Sequence, residues 1–223
     1  MAVTDEAIQK IKDMIVSGVL GPGDRLPREA RLAAELGLSR NSLREAVRAL
    51  ALARVLDVRQ GDGTYVTSLE PGGLLEAVRF AADLHRGERA GEFLAVRRIL
   101  EPAAAALACT RITDAELDAL AALLDGLGPD PSAADLAASD LRFHRGIAQA
   151  SGNSVLCALL EGLSGPATRT RAWRGLARPD RVGRVLGEHR QILGALRDRD
   201  AEAARACATA HLASAERRAR AAS

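Results

Sequence analysis

The chain has 223 residues, 48% of them hydrophobic and 27% charged, and Lys+Arg 31 against Asp+Glu 29 leave a net charge of +2. That length suits one or two domains with real cores, and the near-neutral balance excludes a histone-like polycation, so a nucleic-acid surface must be a local patch. Aromatic residues make up only 2% of the chain, which argues against single-strand binding by base stacking.

In chain order, residues 5–19 place Ile8, Ile11, Ile15 and Val19 at helical spacing. GPGD at 21–24 is a turn. Pro27 opens a short helical segment, PREARLAAELG, that Gly37 stops as a C-cap. Ser39 is an N-cap for a helix over 40–53, which buries Leu43, Val47 and Leu50 and carries Arg40, Asn41, Arg44 and Arg48 on its other face. The period then shortens to two across Val55–Gln60, and a Gly61-Asp62-Gly63 turn leads into Thr64–Thr67, which reads as a β-hairpin. Residues 5–67 therefore spell a winged helix-turn-helix. Its third helix bears arginines at i, i+4 and i+8, a local basic stripe suited to the major groove. Against this, an arginine on an amphipathic helix is commonly just solvated, and Arg48 can simply pair with Glu45.

Ser68-Leu69-Glu70-Pro71-Gly72-Gly73 reads as a linker. Helical patterns follow over 74–86, 90–111, 114–125, 132–150, 153–168, 180–197 and 200–219. Pro102 kinks the second of these, and Thr113-Asp114-Ala115-Glu116 forms a capping box before the third. No strand pattern appears. Forty-five alanines point the same way. The expected class is mainly α: a winged helix-turn-helix domain over 1–68, a linker at 69–73 and an all-helical antiparallel bundle of six or seven helices over 74–223.

Asp140 and His144, at i and i+4, share a helical face, and His189 and His211 lie on two later helices. Carboxylate and imidazole donors suit divalent first-row metals, although a histidine in a helix is more often a surface or hydrogen-bonded residue. His85 is read in that plainer way. The segment 169–190 is rich in arginine and contains Trp173; an effector pocket, an interface and a solvated face all remain open for it. The three cysteines, Cys109, Cys157 and Cys207, are odd in number and widely spaced, as expected of small buried thiols in a reducing cytosol. Without a secretory pattern or a membrane-length apolar run, the expectation is a cytoplasmic protein with no membrane partner.

The stretch GPGDRLPREARLAAELGLSRNSLREAVRAL, followed by RQGDGTYV, resembles the DNA-binding domain of the GntR family of bacterial transcription regulators over residues 5–67. The resemblance implies that Arg40, just after the turn, and Arg44 contact double-stranded operator DNA, with Ser39 and Asn41 beside them. It places the wing glycines Gly61 and Gly63 in the minor groove. Where the family usually has Glu-Arg-Glu-Leu, this chain has Glu29-Ala30-Arg31-Leu32, so a usual DNA-contacting arginine is Ala30. Arg28 and Arg31 are the candidate replacements. The family also usually has Gly where this chain has Arg54, a residue for which a left-handed backbone costs more.

The run Asp140-Leu141-Arg142-Phe143-His144, continuing through SGN at 151–153, and RRILEPAAAALA at 97–108 look like the FCD ligand-binding domain of the FadR-type branch. That resemblance spans about residues 92–213. It implies that Asp140, His144, His189 and His211 hold one divalent transition metal (zinc, nickel or manganese) and that a small carboxylate effector meets the metal. It also implies that Arg97 faces the effector pocket, the alternative being an ion pair with Glu101. The implied function is a homodimeric regulator, a repressor, whose operator affinity the effector shifts. Two rival readings remain: a purely structural metal, and a metal-dependent hydrolase. The hydrolase lacks any H-E-x-x-H signature and has only Glu161 and Glu188 as candidate bases.

Overall fold

A computed structural model describes residues 3–74, 90–128, 131–163, 173 and 179–220. The chain folds as two compact units, Met1–Leu74 and Leu75–Ser223.

In the first unit, helix α1 spans Val3–Val16, α2 Glu29–Leu36 and α3 Arg40–Leu52, and the antiparallel hairpin pairs β1 (Leu56–Arg59) with β2 (Gly63–Val66). Helix α1 stops three residues before the periodicity of its sequence does. Gly18 takes φ +79°, so the chain turns, Leu20 becomes the buried residue and Val19 is exposed. Helix α2 starts at Glu29 with Arg28 as an N-cap lacking a side-chain cap, and it ends on Gly37 in the left-handed conformation. Ser39 caps α3 by accepting a hydrogen bond from the Ser42 amide at 3.0 Å. Ala7 and Ile11 of α1 pack with Leu26, Leu32, Leu43, Leu50, Leu56 and Val66 in one core. Each fully buried leucine there contributes roughly 1.5–3 kcal/mol. Val47 lies at the core's edge, partly buried. Pro71–Leu74, in the stretch read as a linker, forms a short helical turn, α4.

In the second unit the described helices are α5 (Ala90–Ala108), α6 (Asp114–Asp125), α7 (Ala133–Ala150), α8 (Ser154–Gly162), α9 (Pro179–Arg197) and α10 (Ala201–Arg220). Pro102 lies inside α5 without ending it. Thr113 and Glu116 form the capping box of α6, and Ser132 with Asp135 forms a second one that starts α7. Phe143 and Ile147 of α7 pack against Leu117, Leu120, Ile192 and Leu196. Trp173 is buried with Leu136, Ala137 and Val185. The helix expected over 74–86, His85 and most of the basic stretch 169–178 lie outside the described residues. No described strand occurs in this unit.

Candidate metal centre and nucleic-acid interface

Helix α7 presents Asp140 and His144 from one face, α9 contributes His189 and α10 contributes His211; all four are essentially buried. One donor atom from each lies within 4.8 Å of all the others. His144 Nε2 and His189 Nε2 are 3.2 Å apart, and Asp140 Oδ1 lies 3.3 Å from His189 Nε2 and 3.6 Å from His144 Nε2. Donors about 2.1 Å from a common centre would lie about 3.0 Å apart at an octahedral edge and about 3.4 Å apart at a tetrahedral one. The three measured separations fall close to those values.

The far side of two imidazoles is held by carboxylates. Glu101 Oε2 lies 2.7 Å from His144 Nδ1, and Glu188 Oε2 lies 2.9 Å from His211 Nδ1. Each carboxylate is placed to accept an Nδ1 proton, which would leave Nε2 as an electron-pair donor, the arrangement that orients metal-bound histidines. Each also has an arginine behind it: Arg97 Nε is 2.6 Å from Glu101, and Arg218 Nη1 is 3.6 Å from Glu188. His189 differs, because its buried Nδ1 has no hydrogen-bond partner among the described residues. Its ring is instead packed against Phe143, centroid to centroid 4.7 Å.

Burial lowers the pKa of His189 to about 4, against the weaker pull of Asp140, and burial likewise lowers that of His211. Burial also disfavours the charged form of His144, but the Glu101 and Asp140 carboxylates outweigh it and raise its pKa. Two of the three imidazoles are thus neutral at pH 7, as a ligand must be. The donor set fits a divalent transition metal.

Arg97, expected either in an effector pocket or in an ion pair, forms the ion pair with Glu101 and is largely buried. The cavity against His144, lined by Glu101, Ala105, Ile147, Leu160 and Ile192 among others, has a volume of about 10 Å³, room for about one water. The sequence offers Glu188 only as a candidate base for hydrolysis, and its carboxylate instead faces His211. It offers Glu101 only as a partner for Arg97, and that carboxylate also faces His144. The signals for both are slight: Glu101 follows Arg97 by one helical turn, and Glu188 adjoins His189.

On the first unit, Arg40, Asn41 and Arg44 are all exposed at the start of α3. Arg44 Nε is 2.9 Å from Glu29 of α2, while Arg48 pairs with Glu45 at 2.7 Å. Arg28 is exposed at the N-terminus of α2, and Arg31 pairs with Glu35 at 2.6 Å on the same helix. Ala30 is exposed beside them. Gly61 takes φ +77° in the wing turn, and Arg54 has φ +60°, so the costlier left-handed backbone is adopted by arginine. The exposed arginines on one helix, with a hairpin behind them, form a surface able to meet duplex DNA.

Family models agree with both units. Residues 3–66 match "Bacterial regulatory proteins, gntR family" and residues 92–214 match the FCD domain. The chain is 31% identical over 209 residues to the HTH-type transcriptional regulator LutR of Bacillus subtilis, covering 91% of this chain and 94% of that one. It is 28% identical to the galactonate operon transcriptional repressor of Escherichia coli, covering 96% of each. A solved structure of Streptococcus agalactiae GntR superposes with a TM-score of 0.71 at 28% identity, covering 96% of this chain and 99% of that one. These relatives are transcription regulators and not enzymes, and no described helix is long and apolar enough to cross a membrane. The chain belongs to the GntR family of bacterial transcription regulators, among those with an FCD domain, and is a DNA-binding transcriptional regulator.

Proposed function

We propose that this regulator is a metabolite-responsive repressor. Two copies form a homodimer, and their winged helices, residues 1–68, read half-sites of a near-palindromic operator about one helical turn apart. Residues 74–223, joined through 69–73, hold a divalent transition metal (zinc, nickel or manganese) on Asp140, His144, His189 and His211. The single observation that carries this reading is the four-donor cluster with carboxylates behind two of its histidines. A bound metal would supply open coordination positions for a carboxylate. The named relative that represses a galactonate operon supports an acid as the effector class.

This chain's own residues do the rest. Arg40 and Arg44 meet base edges or phosphates, with Ser39 and Asn41 beside them and Arg28 and Arg31 at the flank, while Gly61 and Gly63 let the wing approach the minor groove. Arg97 exchanges its partner Glu101 for the acid. The acid shifts operator binding only through a difference in its affinity for the two arrangements of the dimer.

The test is operator affinity, on a duplex selected by the protein from a random library, with and without a panel of hydroxy and sugar acids. Metal content by elemental analysis and dimer mass by native mass spectrometry accompany it. A tenfold or greater change in affinity with at least one acid is expected. If no acid shifts operator affinity, the metabolite-responsive reading fails.

A second reading, a structural metal without an effector, is favoured by one observation: the cavity beside His144 has room for no more than about one water. Thermal midpoints that respond to metal but to no acid would support it.

A further inference from the structure

We propose that Arg25 is a positioning residue for the wing, locking the hairpin tip into the shape that enters the DNA groove. The inference goes beyond metal and effector binding and rests only on the DNA-binding reading of the first unit.

Short two-stranded hairpins are marginal on their own. In this wing only the base residues Leu56 and Val66 are buried, while Asp57 through Asp62 are exposed. The core therefore holds the root of the wing and not its tip. The segment before α2 supplies the missing support. It runs alongside β2, with Leu26 N donating to Thr64 O at 2.8 Å, Val66 N donating to Asp24 O at 2.9 Å and an isolated bridge between Arg25 and Tyr65.

From that edge the Arg25 guanidinium reaches across β2 and donates to the carbonyl oxygen of Asp62 in the turn, with the Asp62 carboxylate 3.9 Å away. It also lies 5.9 Å from the centroid of the Tyr65 ring. Tyr65 returns the contact by donating its hydroxyl to Asp62 Oδ2 at 2.9 Å, and Arg59 stacks on the same ring at 4.3 Å. Tyr65, Asp62 and Arg59 all belong to the hairpin. Arg25 is the member of this group that ties it to the rest of the domain.

The two wing glycines then have different reasons. Gly61 needs its left-handed backbone, φ +77°. Gly63 needs no unusual φ, but a Cβ on it would lie 2.5 Å from Arg25 Nε. Glycine at 63 makes room for the clamp, and a side chain there would expel the guanidinium.

The experiment compares Arg25→Gln, Gly63→Ala and the double variant in the full chain with wild type, on a duplex selected by the wild type from a random library. Tyr65 is the one tyrosine of the chain, so its ring resonances report the clamp without DNA. Arg25→Gln is expected to shift the Tyr65 resonances and weaken binding about tenfold. The slope of log affinity against log salt should change by less than half a unit, because the lost group shapes the wing and does not neutralise a phosphate. Gly63→Ala should produce the same resonance shift, and the double variant should bind no worse than the weaker single one.

A slope reduced by about one unit with unmoved Tyr65 resonances would make Arg25 a phosphate contact and overturn the proposal. Unchanged affinity, or independent losses that add in the double variant, would also overturn it. Should the wild type select no duplex at all, the DNA reading fails. The Tyr65 resonances then still decide the clamp, because unmoved signals in both single variants refute it.

Discussion

His189→Leu separates the cost of the four-donor cluster from the benefit a bound metal would bring. The imidazole is 1% exposed and its Nδ1 has no hydrogen-bond partner among the described residues. An unsatisfied buried polar atom costs about 1–3 kcal/mol. Leucine is close to histidine in volume, can pack on Phe143 and Ile192, and carries no such atom, while the buried Asp140 carboxylate, which loses its 3.3 Å contact with His189, keeps its contact with His144. The metal-free variant should therefore unfold with about 1–3 kcal/mol more free energy than the metal-free wild type.

The wild type should regain the lead when metal is added. At a free metal concentration one thousand times Kd the linkage gain is about 4.1 kcal/mol. For a unit of this size each kcal/mol moves Tm by roughly 2–4 °C, so the wild-type midpoint should rise by about 8–16 °C. The variant, having lost one of four donors, should move little. Trp173 is the one tryptophan of the chain and is buried in the second unit, so its fluorescence during thermal unfolding reads that unit. The crossing of the two curves is the decisive observation. A variant that is less stable than wild type without metal, or that gains as much from zinc, nickel or manganese as wild type does, would refute the reasoning.

Lowering the pH should destabilise the metal-free second unit. The folded pKa of His189 is about 4 against an ordinary 6.5, so the unfolded chain takes up the proton first. The stability this group confers above pH 6.5 is lost as pH falls toward 4. His211 acts in the same sense and His144, whose pKa is raised, in the opposite one, so urea midpoints should decline over that window. Arg40→Ala and Arg44→Ala should each cost about 1–3 kcal/mol of operator affinity if the side chain reads a base. If it meets only phosphate, the salt slope should drop by about one; band-shift titrations at several salt concentrations distinguish the two, and no change in either quantity would displace α3 from the groove. Leu43→Ala should cost about 2–5 kcal/mol in the first unit without moving the Trp173 unfolding signal; a shift of that signal would contradict the division into two units.

Local chemistry made much of this fold legible. Ser39 and the Thr113–Glu116 box mark helix starts because their side chains satisfy amides within three residues. Gly37 marks a stop because only a residue at ease with φ +65° ends that helix cleanly. The end of α1 is not legible from periodicity, which continues to Val19, because the left-handed backbone at Gly18 turns the chain after Val16. The four-donor cluster was only half legible from spacing. Asp140 and His144 share a helical turn, but His189 and His211 join them through packing between helices, which no local pattern encodes. Their place in the set came from the family resemblance. The carboxylates behind the histidines carry only slight signals for the same reason, and Arg25 carries none, because it meets Asp62 across 37 residues of sequence. Arg97 had two readings open, and the short i, i+4 distance to Glu101 realises one of them.

The four donors are strung along a chain interval from Asp140 to His211 and reside on three separate helices. The full set of four therefore comes together only once those three helices have packed against one another. A nascent chain on the ribosome could assemble α7 with both of its donors and still lack a complete cage until α10 had emerged and docked. Any ion held by all four donors would therefore be captured late in synthesis, only after distant stretches of the polypeptide had found one another.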